Sequence, residues 1–270
     1  MDTLCSDRLM YELGAGVQAF STRRSGGCSK GLYASFNINE YCGDDPEDVR
    51  RNRKALCRQL HLDEDRLVMP HQTHGTKVLC VDEAFFAGSA SWRKERLEGV
   101  DALITRLPAT CIGVSTADCI PVLLYDAGTG AIAAVHAGWR GTVGRIVEKT
   151  IDAMADTFGT RSVDVKAVIG PGISLEAFEV GDEVYDTFAA AGLPVSVLAR
   201  RYSSAGETGG QMKWHIDLWE ANRCQLVDKG VPREQIQLSG LCTYFHSDRY
   251  FSARRLGVCS GRIWNGIVKV

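Results

Sequence analysis

No C-x-x-C pair joins any two of the ten cysteines in this 270-residue chain, and no His-x-His pair occurs among its six histidines. The cysteines are scattered at 5, 28, 42, 57, 80, 111, 119, 224, 242 and 259. Several fall in apolar runs such as "KVLCV" and "ATCIGV", where a thiol behaves as a small hydrophobe. The opening "MDTLCSDRLMYELGAG" has no basic patch followed by an apolar run, so no signal peptide is read and reduced thiols in a cytoplasm are expected. No stretch is apolar over the length needed to span a bilayer. Charge of one sign is also lacking: a net charge of -2 gives no support for nucleic acid or an anionic membrane as partner. G-x-G-x-x-G and Walker loops are absent, which removes the usual signatures of nucleotide cofactors.

What is present describes a globular protein, 45% hydrophobic and 24% charged, with ample material for a core. No repeat, low-complexity run or Pro/Gly/Ser-rich linker divides it, so one domain over 1–270 is expected. "DPEDVRRNRKALCRQL" reads as a helix, with Asp45 as cap, Pro46 in the first turn and Glu47 and Asp48 complementing the dipole. "TVGRIVEKTIDAMADTFG" reads as a second, with an apolar stripe and Gly159 past its end. "DLWEANRCQLVDKG" reads as a third, stopped by Gly230. Strands are expected at "ALIT", "TCIGVS", "IPVLLYD", "AIAAVHA", "DVKAVIG" and "IQLSGL", and "RRYSSAGETGGQMKW" (200–214) as a surface loop. "IPVLLYD-AGTG-AIAAVHA" forms a hairpin. Hairpins mixed with helices point to an α+β protein rather than a doubly wound parallel sheet.

Three metal-capable side chains sit where a strand meets a turn: His74 in "HQTHG", Cys119 in "STADCIPV" and His136 in "AAVHAGWRG". Antiparallel pairing in the hairpin returns Cys119 and His136 to one end of a sheet. A third donor from the His74 loop completes a Cys-His-His set, which suits a zinc ion with one coordination place left open for catalysis. The competing reading is three unrelated side chains, the histidines hydrogen-bonded in the core and the cysteine inert. His71 has the weaker claim of the two histidines in that loop. Arg53 falls in the apolar stripe Val49, Arg53, Leu56, Leu60 of the first helix. It either snorkels to the helix edge or supplies fixed positive charge for an anion such as phosphate. Arg254 and Arg255 in "YFSARRLGVCSGR" could form one wall of a phosphate pocket.

These motifs carry a resemblance. "FSTRRSGGCSKGLYASFNINEYCGDDPEDVRRNRKAL", "HQTHGTKV", "TADCIPVLLYD", "AAVHAGWRGTVGRIVEKTI", "IGPGISLEAFEVGDEV", "DLWEANRCQL" and "YFSARRLGVCSGR" follow one another in the order of the YfiH-like family. That family was once named multicopper polyphenol oxidases or laccase-domain proteins and is now regarded as purine nucleoside enzymes. The chain resembles it over nearly its whole length. Two segments depart from the family pattern: "GISLEAF" has no cysteine after "IGP", and "ARRLGVCSGR" replaces an acidic residue and a threonine. Neither touches the three proposed ligands.

The resemblance implies zinc on His74, Cys119 and His136. It implies phosphorolysis of adenosine, inosine and methylthioadenosine, and deamination of adenosine; purine nucleosides and phosphate are then the partners, and related proteins suggest a homodimer. With the mixed strands and helices, the expected architecture is a layered α-β-β-α sandwich. Asn37 and Gln72 are implied as nucleoside hydrogen-bonding residues. Asp118, next to Cys119, is a candidate proton carrier or partner of a ligand, or else a turn-forming aspartate. Copper could occupy the same donors. The chain nonetheless lacks the many histidines that a blue-copper site plus a three-copper cluster would need. The alternatives are therefore a copper-dependent polyphenol oxidase and a metal-binding module without catalysis.

Overall fold

Strands that are apolar on both sides need cover on both sides, and this requirement builds the molecule in four layers. The computed structural model describes residues 4–5, 7–203 and 212–270. Its larger mixed sheet runs, in spatial order, Ile236–Leu238, Val165–Ile169, Ile120–Asp126, Ile132–Ala137, Val100–Thr105 and Lys77–Cys80. The second runs Arg8–Tyr11, Val17–Thr22, Ile263–Lys269, Cys111–Thr116 and Leu67–Val68. Leu103, Leu123, Ile132 and Val168 of the larger sheet are buried against Val17, Ala19, Ile112, Val114 and Ile267 of the other. Each such leucine or isoleucine contributes about 1.5–3 kcal/mol by leaving water.

Helices close both outer faces. Ala102, Ile104, Val122 and Val135 pack on Val147, Ile151 and Met154 of the helix Ile146–Phe158 and on Ala221 and Leu226 of Leu218–Asp228. Phe20, Cys111 and Trp264 pack on Ala55, Leu56 and Leu60 of Pro46–Leu60. The expected α-β-β-α layering is observed. Among the described residues no helix is long and apolar enough to cross a membrane.

The cap expected at Asp45 operates, and a second helix is capped in the same way. Asp45 accepts from the amides of Glu47 and Asp48, and Asp217 from that of Glu220. Two expectations need correction. The second helix is not continuous from Thr142: a short helix Trp139–Val143 ends at Gly144, Arg145 is left-handed (φ 59°), and Ile146–Phe158 follows. The backbone passes so close to Thr76 that a Cβ on Gly144 would lie 2.6 Å from its methyl carbon, so the break needs a glycine there. The stretch 200–214 is also not simply a loop. Ala199–Ser203 and Met212–Ile216 pair antiparallel in a three-stranded sheet with Glu179–Val180. Trp214 stacks on Tyr185 at 4.0 Å with the Arg201 guanidinium 4.5 Å from its ring, packing that arginine-rich residues hid from an alternation count. The middle of the stretch, 204–211, lies outside the described residues.

The hairpin sets the geometry that matters. Ile120 pairs with Ala137 and Pro121 with His136, so the turn that carries Cys119 returns to His136. The same turn links Cys111–Thr116 of one sheet to Ile120–Asp126 of the other, which puts it at the edge of the sandwich, where a pocket can open.

Candidate metal centre

One donor atom each from His74, Cys119 and His136 lies within 4.8 Å of the other two. A tetrahedral zinc ion with bonds of about 2.0–2.3 Å sets its donors about 3.3–3.7 Å apart, so small side-chain adjustments suffice. The two imidazoles meet edge to face, with centroids 4.8 Å apart. Their neighbour Gly138 has no Cβ; one placed there would lie 3.0 Å from His74 Cδ2 and 3.1 Å from Cys119 Sγ. His74 is exposed, Cys119 half-buried and His136 buried, so the cluster is closed on the core side and open outward. One thiolate with two imidazoles, and one face free, is a donor set that fits zinc with an exchangeable fourth position.

A residue the sequence reading passed over holds this arrangement together. Asp101 is fully buried, on Val100–Thr105. Its neighbour Ala102 faces Val135 across the sheet, which brings the carboxylate beside His136. His136 Nδ1 donates to Asp101 Oδ1 at 2.7 Å, leaving Nε2 for the cluster. The backbone amides of Thr73, His74 and Gly75 donate to the same carboxylate at 3.3, 3.0 and 2.7 Å. A single aspartate thus orients one imidazole and seats the loop that carries the other, as outer partners of metal ligands do. The available signal was an acidic residue at the start of the apolar run "VDALIT".

Electrostatics couple these groups. Burial pushes the Cys119 thiol up, but His136 and then His74 outweigh it and bring the thiol down to about 6. Burial pulls His136 down, but Cys119 and Asp101 outweigh that and raise it to about 9. Burial also works against the Asp101 charge, yet His136 and the loop amides hold it below the ordinary aspartate value. The metal-free centre at neutral pH is therefore a thiolate–imidazolium pair, and an ion must displace the His136 proton to bind. Between about pH 7 and 9 one proton should be released per ion bound, and affinity should rise about tenfold per pH unit. Below pH 6 the Cys119 proton must leave as well, and the dependence steepens. Metal titrations in weakly buffered solution read this directly; no proton release at pH 7 would contradict it.

The cluster forms the floor of a pocket of about 330 Å³, whose lining also includes Tyr41, His71, Gln72, Ser115 and Arg262. The volume lies at the small end of the range for small-molecule sites. Gln72 lines it, but its amide is occupied, donating to the Ser115 carbonyl at 2.9 Å and accepting from the Ser115 amide at 2.7 Å. Asp118 is left-handed (φ 89°) and accepts from Thr243 Oγ1 and the Arg254 amide, both at 2.6 Å. Those bonds tie a turn together, and the carboxylate that contacts a ligand is that of Asp101.

The other residues singled out from sequence lie elsewhere. Asn37 is fully buried; it donates to Asp44 and to the Asn39 carbonyl, and accepts from the Asn39 and Arg262 amides. Arg53 leans off its helix onto the Leu67 carbonyl at 3.3 Å and lines a neighbouring pocket of about 210 Å³ that shares Tyr41. Arg254 donates to the carbonyls of Ala177 and Glu179, and Arg255 to the Tyr244 hydroxyl; neither lines the metal pocket. The arginine that does is Arg262, a few residues along the same quoted motif. Its guanidinium is fixed by the carbonyls of Val258, Ser260 and Gly261.

The chain is similar to known proteins over nearly its whole length. Residues 18–269 match a family model described as multi-copper polyphenol oxidoreductase laccase. A purine nucleoside phosphorylase of Bacteroides thetaiotaomicron is 51% identical over 254 residues, 94% of this chain and 92% of that one. A protein of an unknown prokaryotic organism, named adenosine deaminase RL5, is 44% identical over 255 residues, 94% of each chain. The crystal structure of the Bacillus licheniformis hypothetical protein YfiH matches with a TM-score of 0.88 at 30% identity, over 97% of this chain and 96% of that one.

Proposed function

This chain belongs to the YfiH-like family, whose model is described as multi-copper polyphenol oxidoreductase laccase, and from that premise we propose that it is a purine nucleoside enzyme. It cleaves adenosine, inosine and methylthioadenosine with phosphate, releasing the base and the (methylthio)ribose 1-phosphate, and it deaminates adenosine. The names of its curated relatives support both activities. The observation that carries the reading is the cluster of His74, Cys119 and His136, closed toward the core and open to a pocket of about 330 Å³.

His74, Cys119 and His136 would hold a zinc ion, which when bound would supply Lewis acidity to the substrate. The protein's own groups do the remaining work. Asp101 keeps His136 in the tautomer that leaves Nε2 free. Gln72 docks the His74 loop on Ser115, fixing one wall. Arg262 offers the cation lining the pocket, where it can hold phosphate against the positive charge that develops on the ribose anomeric carbon.

The family description favours polyphenol oxidation as a second reading, and divalent copper would bind these donors tightly. Among the described residues, however, this is the one cluster of three or more histidine, cysteine or acidic side chains suited to an ion. A single copper cannot store the four electrons needed to reduce dioxygen to water. The test is purified protein with inosine and phosphate, following hypoxanthine and ribose 1-phosphate, alongside adenosine deamination and metal analysis. Phosphate-dependent hypoxanthine release is expected. Copper in the isolated protein and phenol oxidation, without nucleoside turnover, would replace this reading with the oxidase.

A further inference from the structure

His74 contributes to the cluster, but His71 from the same loop has a different partner. Its Nδ1 lies 2.8 Å from both carboxylate oxygens of Glu98. The backbone enforces the pairing: His71 N donates to Leu97 O at 3.1 Å, Gly99 N donates to His71 O at 3.0 Å, and the two residues form a parallel bridge. Tyr41 stacks on the imidazole, with centroids 4.2 Å and planes 22° apart. One edge, one face and the main chain are therefore held, and among the described residues Nε2 is the nitrogen without a hydrogen-bond partner. His71 lines the pocket that contains the metal cluster.

Purine phosphorolysis has a requirement that the groups assigned above do not meet. The C1′–N9 bond breaks with its electron pair passing to the base, and a purine anion is a poor leaving group unless it is protonated. N7 accepts that charge through the ring. We propose that His71, oriented by Glu98, is the general acid that protonates purine N7 as the base leaves; this rests on the phosphorylase reading. The electron pair of the broken bond goes to the purine, the Nε2 proton goes to N7, and a phosphate oxygen bonds to C1′. The proton that hydrogen phosphate sheds on becoming an ester restores the imidazolium. Glu98 fixes the ring edge that the imidazole presents, the arrangement in which histidine serves as acid and base.

The test compares leaving groups. Inosine needs the proton, whereas 7-methylguanosine does not, because its base carries a methyl group at N7 and leaves neutral. His71→Gln, with thermal melting and zinc content checked against wild type, should lower kcat/KM on inosine by about 10²–10⁴-fold. On 7-methylguanosine the loss should stay under about tenfold. If the wild type rejects the methylated nucleoside, p-nitrophenyl riboside takes its place, since nitrophenolate leaves unprotonated. If H71Q does not fold, Glu98→Gln should show the same split at smaller amplitude. Equal losses on both substrates, or none on inosine, would overturn the proposal and leave His71 as a wall of the pocket. Absence of turnover by the wild type on every nucleoside would instead overturn the phosphorylase reading.

Discussion

Cys119→Ala should leave a folded protein that no longer retains its metal and has lost both nucleoside activities. Thiolate is the only anionic donor of the trio, and the metal-free centre already stabilises it, with the thiol brought down to about 6. Two imidazoles alone form a far weaker site, and His74 is exposed, so nothing compensates. Loss of a Lewis acid worth several kcal/mol corresponds to at least about 10³-fold in rate. The fold should tolerate the change, since Cys119 belongs to none of the four apolar clusters and the Asp101–His136 bond remains. Cys119→Ser should fail in the same way, because an alcohol does not ionise under these conditions. Metal content, melting temperature and the two assays check the set. Full turnover by metal-free C119A would remove the metal from the chemistry.

How much of this was legible in the sequence depended on whether the information was local. The cap at Asp45 acts over two or three residues and was readable. The hairpin was readable from two apolar runs and a glycine turn, and with it the approach of Cys119 to His136. His74 could be added because it too stands at a strand–turn junction. What escaped was set by neighbours distant in the chain. The helix breaks between Gly144 and left-handed Arg145, where Thr76 leaves no room for a Cβ at position 144. Asp101 looks like the start of a strand until the sheet puts His136 on one side and the 73–75 amides on another. Arg254 and Arg255 were the conspicuous pair, yet their guanidiniums serve carbonyls and a tyrosine, and Arg262 reaches the pocket. Sequence identified groups capable of the chemistry, but the direction in which each side chain points is decided by tertiary contacts.

That distinction gives Asp101→Asn the second large effect. The two carboxylate oxygens divide four donors: Oδ1 takes His136 Nδ1 and the His74 amide, and Oδ2 takes the amides of Thr73 and Gly75. Asparagine matches the shape but replaces one acceptor with an NH₂ group. Whichever way the amide turns, two N–H donors then face another donor inside the core. Either His136 loses its orienting partner or the loop carrying His74 loses its anchor, and both routes loosen the centre. Metal affinity should fall about 10–100-fold, and stability by about 1–3 kcal/mol from donors left unsatisfied. The pH dependence separates this from a general weakening. Because the Asp101 pKa is depressed in the folded protein, its stabilisation is present above the ordinary aspartate value and is lost as pH falls through the folded one. Wild type should therefore lose stability on that acid limb, while D101N, which cannot titrate there, should show a shallower slope. If D101N binds metal as tightly as wild type and melts with the same acid dependence, the carboxylate does not organise the site, and the positions of the two histidines must be set by packing alone.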